Sequence, residues 1–151
     1  MTILAIHNYY QIKGGEDSVF DQETEALEKA GFNVIRYTKH NDETNNLSVI
    51  HKIKYFFSAL YNFKTVKDIK KIIKNNQIDI AHIHNVFPLI SPSVYNILAV
   101  NGIKIVQTLH NYRFLCPNGL FLRKNKICML CKSGAYINCF FKKCYKNSLL
   151  Y

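Results

Sequence analysis

MTILAIHNYYQIKGGEDSVFDQETEALEKAGFNVIRYT, residues 1–38, is the stretch whose reading decides the fold. Ile3 to His7 form a short apolar run of the kind that makes a buried strand. A loop carrying Gly14-Gly15 follows. Val19, Phe20, Ala26, Leu27 and Ala30 then recur at helical spacing, with Ser18 as the expected N-cap and Gly31 as the stop. Asn33 to Thr38 supplies a second strand. Strand, helix and strand in this order make a β-α-β unit, which requires parallel strands.

Working outward, residues 39–48 are polar, rich in Asn and aperiodic, and read as a loop. Ile50, Ile53, Phe57, Leu60 and Tyr61 recur at helical spacing, and Val66, Ile69, Ile72 and Ile73 form a second such pattern that Thr65 and Asp68 open in the manner of a capping box. Residues 78–84 read as a third strand, 92–100 as a helix capped by Ser91, and 103–110 as a fourth strand introduced by Asn101-Gly102. The expected architecture is α/β: a Rossmann-like parallel sheet flanked by helices over residues 1–115. Residues 116–151, a Cys-rich segment with a hairpin around Arg123 to Lys126, extend the same domain.

A hydrophobic fraction of 48% is enough to bury a core in a chain of this length and excludes disorder as the default. Met1 runs straight into the first strand without a basic and then apolar leader, and no stretch is apolar enough to span a bilayer. The expected location is therefore cytoplasmic. The formal net charge of +10 is unevenly spread: residues 1–50 hold four Lys/Arg and eight Asp/Glu, residues 51–151 sixteen and two. The later surface should attract phosphate groups.

Three of the expected strands end in the same dipeptide, His7-Asn8, His84-Asn85 and His110-Asn111. The carboxyl ends of parallel strands share one edge, where ligands bind, so imidazoles and carboxamides suited to hydroxyl-rich ligands are expected to meet there. Taken singly, each pair reads as loop chemistry, since Asn commonly bonds nearby backbone. His82 and His84 share a strand face and could suggest a metal, but no carboxylate is expected beside them, which argues against it. Lys13-Gly14-Gly15-Glu16-Asp17 joins a strand to a helix N-terminus; a phosphate cradle and a plain structural turn fit it about equally.

Cys128 and Cys131, then Cys139 and Cys144, make two close pairs in a chain with an odd number of cysteines. They suit tetrahedral zinc of the structural kind, with Cys116 as an alternative ligand; free or redox-active thiols are the other reading. Residues 51–75 interleave lysines with Tyr55, Phe56, Phe57, Tyr61 and Phe63, as a core-facing helix pair with a basic side would, or one that docks on an anionic membrane.

Asn8-Tyr9-Tyr10 leading to Gly14-Gly15-Glu16-Asp17, then His82-Ile83-His84-Asn85 with Pro88 and Ser91-Pro92-Ser93, then Thr108 to Arg113 followed by Cys116-Pro117, together resemble the N-terminal domain of family 4 glycosyltransferases of the GT-B fold, in a subgroup with a cysteine-rich insertion. The resemblance implies retaining transfer of a sugar from a nucleotide-sugar to an acceptor hydroxyl, in polysaccharide or lipid-linked glycan assembly. It implies that Gly14 and Gly15 approach the donor diphosphate, that His110 lies near the transferred sugar, and that no catalytic metal is needed. His7, Asn8, Glu16, His84, Asn85, Asn111 and Arg113 are the expected acceptor-side set. The donor half is expected beyond residue 151, which makes this an incomplete GT-B N-terminal domain, truncated or one part of a split enzyme with a separate donor-domain subunit, and without turnover alone. A nonenzymatic acceptor- or partner-binding module is the alternative. A basic, zinc-dependent nucleic-acid-binding protein would account for the charge but not for the β-α-β order or the His-Asn strand ends, so no nucleic acid is expected as partner.

Overall fold

The computed structural model describes residues 1–41 and 58–144. It divides into two compact units, residues 1–108 and 109–151. In the first unit the described residues form a four-stranded parallel sheet built from β1 (Thr2–Tyr9), β2 (Asn33–His40), β3 (Ile80–Ile83) and β4 (Lys104–Gln107), in the order β2-β1-β3-β4. Pairing runs from Thr2 opposite Asn33 to Tyr9 opposite His40, and from Ile3 opposite Ile80 to Ile6 opposite Ile83. The Rossmann-like α/β reading is what the chain adopts.

The helices are α1 (Gly15–Lys29), α2 (Phe63–Asn75) and α3 (Ser93–Val100). Central β1 is covered on both faces, which is why its pattern is continuously apolar instead of alternating. Leu4, Ile6, Ala81 and Ile83 pack in one core cluster with Ile69 of α2 and Val94, Ile97 and Leu98 of α3. On the opposite face His7 stacks on Phe20 of α1, their ring centroids 4.7 Å apart. α2 turns Ile69 fully inward and leaves Lys64, Lys67, Lys70, Lys71 and Lys74 exposed, the solvated basic side of a core-facing helix.

Several boundaries differ from the sequence reading for local reasons. α1 starts at Gly15, not Ser18, because the Asp17 carboxylate accepts the Gly14 N–H at 2.9 Å and closes the first turn earlier. Its fully buried positions are Asp17, Phe20 and Thr24, while Ala26 and Ala30 are exposed. α2 is capped by Asn62, whose side-chain oxygen accepts the Thr65 N–H at 3.1 Å; Asp68 instead accepts from the Tyr37 hydroxyl at 3.1 Å. β4 ends at Gln107, short of His110. Its neighbour β3 stops at Ile83, so after the Thr108 N–H bonds the Ile83 carbonyl at 2.9 Å the ladder has no further partner. The helical pattern expected from Ile50 through Phe57 lies outside the described residues.

The second unit carries a small hairpin, β5 (Leu122–Arg123) with β6 (Lys126–Ile127), and a short helix, α4 (Ile137–Phe141). Lys124 and Asn125 take φ of 50° and 57°, the left-handed pair that a two-residue hairpin turn demands. Among the described residues no helix is long and apolar enough to cross a membrane.

Candidate functional site

β1 has β2 on one side and β3 on the other, so the chain leaves it in opposite directions, and the carboxyl ends of β1 and β3 are where sheets of this kind bind ligands. Two of the three His-Asn pairs meet there. The Asn8 N–H donates to the Asn85 carbonyl and the Asn85 amide returns a bond to the Asn8 carbonyl, each at 2.9 Å. The oxygen of the Asn8 side chain accepts the Leu89 N–H at 3.0 Å, and that of Asn85 accepts the Phe87 N–H at 3.1 Å. Both carboxamides are buried and lock the strand ends to the loop that follows β3.

The two histidines reach α1. His7 Nε2 stands 2.7 Å from Asp17 Oδ1, both side chains essentially without solvent contact. The other oxygen of Asp17 holds Gly14, so one buried carboxylate ties the end of β1 to the glycine loop. His84 Nε2 lies 3.2 Å from Glu23 Oε2, and His82 Nε2 lies 3.6 Å from the same oxygen and 2.8 Å from the Thr108 hydroxyl. Phe20 fills the space between, stacked on His7 and edge-on to His84 with centroids 5.1 Å apart. The expected absence of a carboxylate near His82 and His84 is thus overturned: α1 supplies Glu23 across the layer.

Outside this cluster, Asp21 accepts hydrogen bonds from the Tyr9 hydroxyl and, at 2.9 Å, from the Lys13 ammonium. Burial, reinforced by Asp21, pushes the Tyr9 phenol well above its usual range. For Asp21 itself burial works upward, but the bonds from Tyr9 and Lys13 prevail and hold the carboxyl below its usual range; the same contact raises Lys13. These bonds pin the loop before Gly14 to α1. Gly14 is half-buried, Gly15 is exposed, and Glu16 is half-buried in the first helical turn. A Cβ built at Gly14 or Gly15 meets nothing within 4 Å, and neither backbone lies in the left-handed region. Nothing within the described fold therefore demands glycine at either position.

His110, Asn111 and Arg113 belong to the second unit, all half-buried. The Asn111 side chain accepts the Arg113 N–H at 2.9 Å and packs 3.6 Å from where a Cβ on Gly119 would sit; φ of +79° there is what requires glycine. In this unit burial raises the Cys131 thiol, with Cys116, Cys144 and Cys128 beside it adding to the shift. Burial and the neighbouring Cys144 push Cys139 up to about 11. Cys128, Cys131, Cys139 and Cys144 thus belong to one neighbourhood. Among the described residues, however, it is Glu23, His82 and His84 whose donor atoms all stand within 4.8 Å of one another.

Asp17, Phe20 and Glu23 were not singled out as site residues in the sequence. The available signal was a helical face on which Asp17, Phe20 and Thr24 recur at i, i+3 and i+7: an acid on the inward side of a helix needs a partner, and His7 at the end of the preceding strand offers one.

The chain finds no match among curated proteins or solved structures. It does match the family model described as Glycosyltransferase Family 4 over residues 13–128, a range that takes in the glycine loop, α1, His84 and Asn85, His110 and the start of the cysteine cluster. The match covers well over half of the 151 residues, and with the parallel sheet it establishes that the chain belongs to glycosyltransferase family 4.

Proposed function

We propose that this domain supplies the acceptor-side wall of a sugar transferase that moves a hexose from a nucleotide-sugar to an acceptor hydroxyl during polysaccharide or lipid-linked glycan assembly. The observation that carries this reading is the Gly14-Gly15 loop, braced by Asp17 at the carboxyl edge of the sheet, with open space where side chains would otherwise stand. Glycines that no internal contact requires are explained by a ligand that must come close, and amide groups at a helix start suit a diphosphate. As the anomeric bond breaks, charge grows on the diphosphate, so donors at that point contribute most to the rate. His110 is the residue we assign to the transferred sugar, with Asn111 and Arg113 beside it in sequence on the acceptor side. His7 and His84 serve the acceptor edge through their bonds to α1, and Glu16 flanks the loop. The exposed lysines of α2 suit an anionic membrane carrying the acceptor. A nucleotide-binding domain, in the same or another polypeptide, completes the cleft.

The test is nucleotide release from a panel of nucleotide-sugars with an acceptor-containing membrane extract, for the chain alone and with a family donor domain. Release is expected only in the combined sample. Gly14→Ala and Gly15→Ala should leave thermal stability unchanged yet lower kcat/KM by about a hundredfold, the cost of displacing a reacting group by on the order of 1 Å. His110→Ala should do the same through kcat. Unaltered kinetics in both glycine variants would remove the assigned diphosphate role.

Within the second unit we propose that Cys128, Cys131, Cys139 and Cys144 hold a structural zinc ion, supported by their paired spacing and by their grouping around Cys131. Four thiolates close the site to substrate. In metal-free protein at pH 8, Cys139 with its thiol raised to about 11 should alkylate roughly tenfold more slowly than an ordinary cysteine, since the scarcer thiolate is in part offset by its greater nucleophilicity. Added zinc should then protect all four positions from iodoacetamide, as read by peptide mass mapping. Equal alkylation with and without zinc would leave them as plain thiols.

A further inference from the structure

The Glu23, His82 and His84 cluster lies wholly within the first unit and shares no residue with the glycine loop or the cysteine set. His82 and His84 project from the same face of the β3 segment because they are two residues apart, and Glu23 meets them from α1. Their spacing is informative. A tetrahedral ion with bonds of about 2.0 Å needs donor atoms about 3.3 Å apart, and here Glu23 Oε2 stands 3.2 Å from His84 Nε2 and 3.6 Å from His82 Nε2. Two neutral imidazoles and one carboxylate are the donor set that borderline divalent ions such as Zn2+ and Co2+ prefer.

The surroundings fit the same use. The His84 side chain has no solvent exposure and that of His82 is 14% exposed, whereas Glu23 is 40% exposed, so the cluster is walled on the sheet side and open on the helix side. Phe20, edge-on to His84, supplies an apolar wall that fixes the imidazole. Asp17, Asp21, Glu25 and Glu28 of α1 are taken up by His7, Lys13, Lys29 and Arg36, which leaves Glu23 as the carboxylate that α1 turns to the two histidines. Thr108, whose hydroxyl is 2.8 Å from His82 Nε2, is the group that yields to the ion or joins as a fourth donor.

We propose that Glu23, His82 and His84 form a three-donor site for a borderline divalent cation, which cross-links α1 to β3 and leaves a coordination position to water or to Thr108. The ion is a clamp between helix and sheet, and sugar transfer itself does not pass through it.

The experiment is a Co2+ titration of the full chain after its thiols have been alkylated, followed by visible absorption and by NMR of the histidine side chains. One equivalent is expected to bind with ligand-field bands, without a sulfur-to-metal charge-transfer band, and to broaden the His82 and His84 imidazole signals selectively. Glu23→Gln and His82→Gln should each weaken binding by more than about 100-fold, since outer-sphere partners alone are commonly worth 10–100-fold. Glu23→Gln sits on the exposed helix side and keeps its shape, and the NMR readout needs no variant, so a folding failure in one protein leaves the proposal testable. Absence of Co2+ binding, uniform broadening of histidines, or unchanged affinity in both variants overturns it.

Discussion

Replacing Phe20 by alanine is expected to cost about 3–5 kcal/mol of unfolding free energy, the usual range for deleting a buried aromatic ring. The ring has no solvent exposure and is shared by three neighbours: it stacks on His7 and meets Tyr9 and His84 edge-on. Its loss removes apolar area and also the wall that holds both histidines at their α1 partners. Urea denaturation followed by far-UV circular dichroism measures the difference, and Phe20→Leu, which keeps most of the volume, should lose roughly 1–2 kcal/mol. A loss under about 1 kcal/mol for the alanine variant would mean that α1 does not cover this face of the sheet as described.

Asp17→Ala is the second large effect, at about 3 kcal/mol or more, because a buried charge partner and two accepted hydrogen bonds disappear together. Asp17 Oδ1 serves His7 and Oδ2 serves Gly14, so the variant should also loosen the glycine loop specifically. Asp17→Asn keeps the shape and one acceptor oxygen but replaces the other with an N–H donor that cannot accept a bond from His7 or Gly14, and should fall between alanine and the native protein. Amide hydrogen exchange separates the local effect from the global one. Faster exchange at residues 14–18, exceeding that of the β1 core, is the expected result, and uniform acceleration would assign Asp17 a purely global role. In the transferase assay this loosening should raise the KM for the nucleotide-sugar more than it lowers kcat.

The β-α-β order was legible because each of its elements carries its own period. The continuous apolar run of Ile3 to Ile6 is short enough, and close enough to the Gly14-Gly15 loop, to read as a strand buried on both faces, and Gly31 marks where α1 stops. The three His-Asn repeats were visible too, and so was the local loop chemistry of Asn85 and Asn111, each of which accepts the N–H two residues on, but the contact between two of the repeats was not. Asn8 and Asn85 lie 77 residues apart, and only the parallel pairing of β1 with β3 makes each the partner of the other. The start of α1 was misplaced by three residues, since the signal for Ser18 as a cap is local while the bond that sets the start also depends on Asp17 facing His7.

Composition and periodicity alone determined that this chain folds as a Rossmann-like α/β domain with an acidic first part, a basic later part and a cysteine-rich end, because those properties depend on residues close together in sequence. The pairing of Asp17 with His7, and of Glu23 with His82 and His84, was decided only by the tertiary structure. A helix meets a sheet at an angle and depth that no spacing along the chain encodes, so which acid reaches which imidazole is a consequence of packing α1 over β1 and β3.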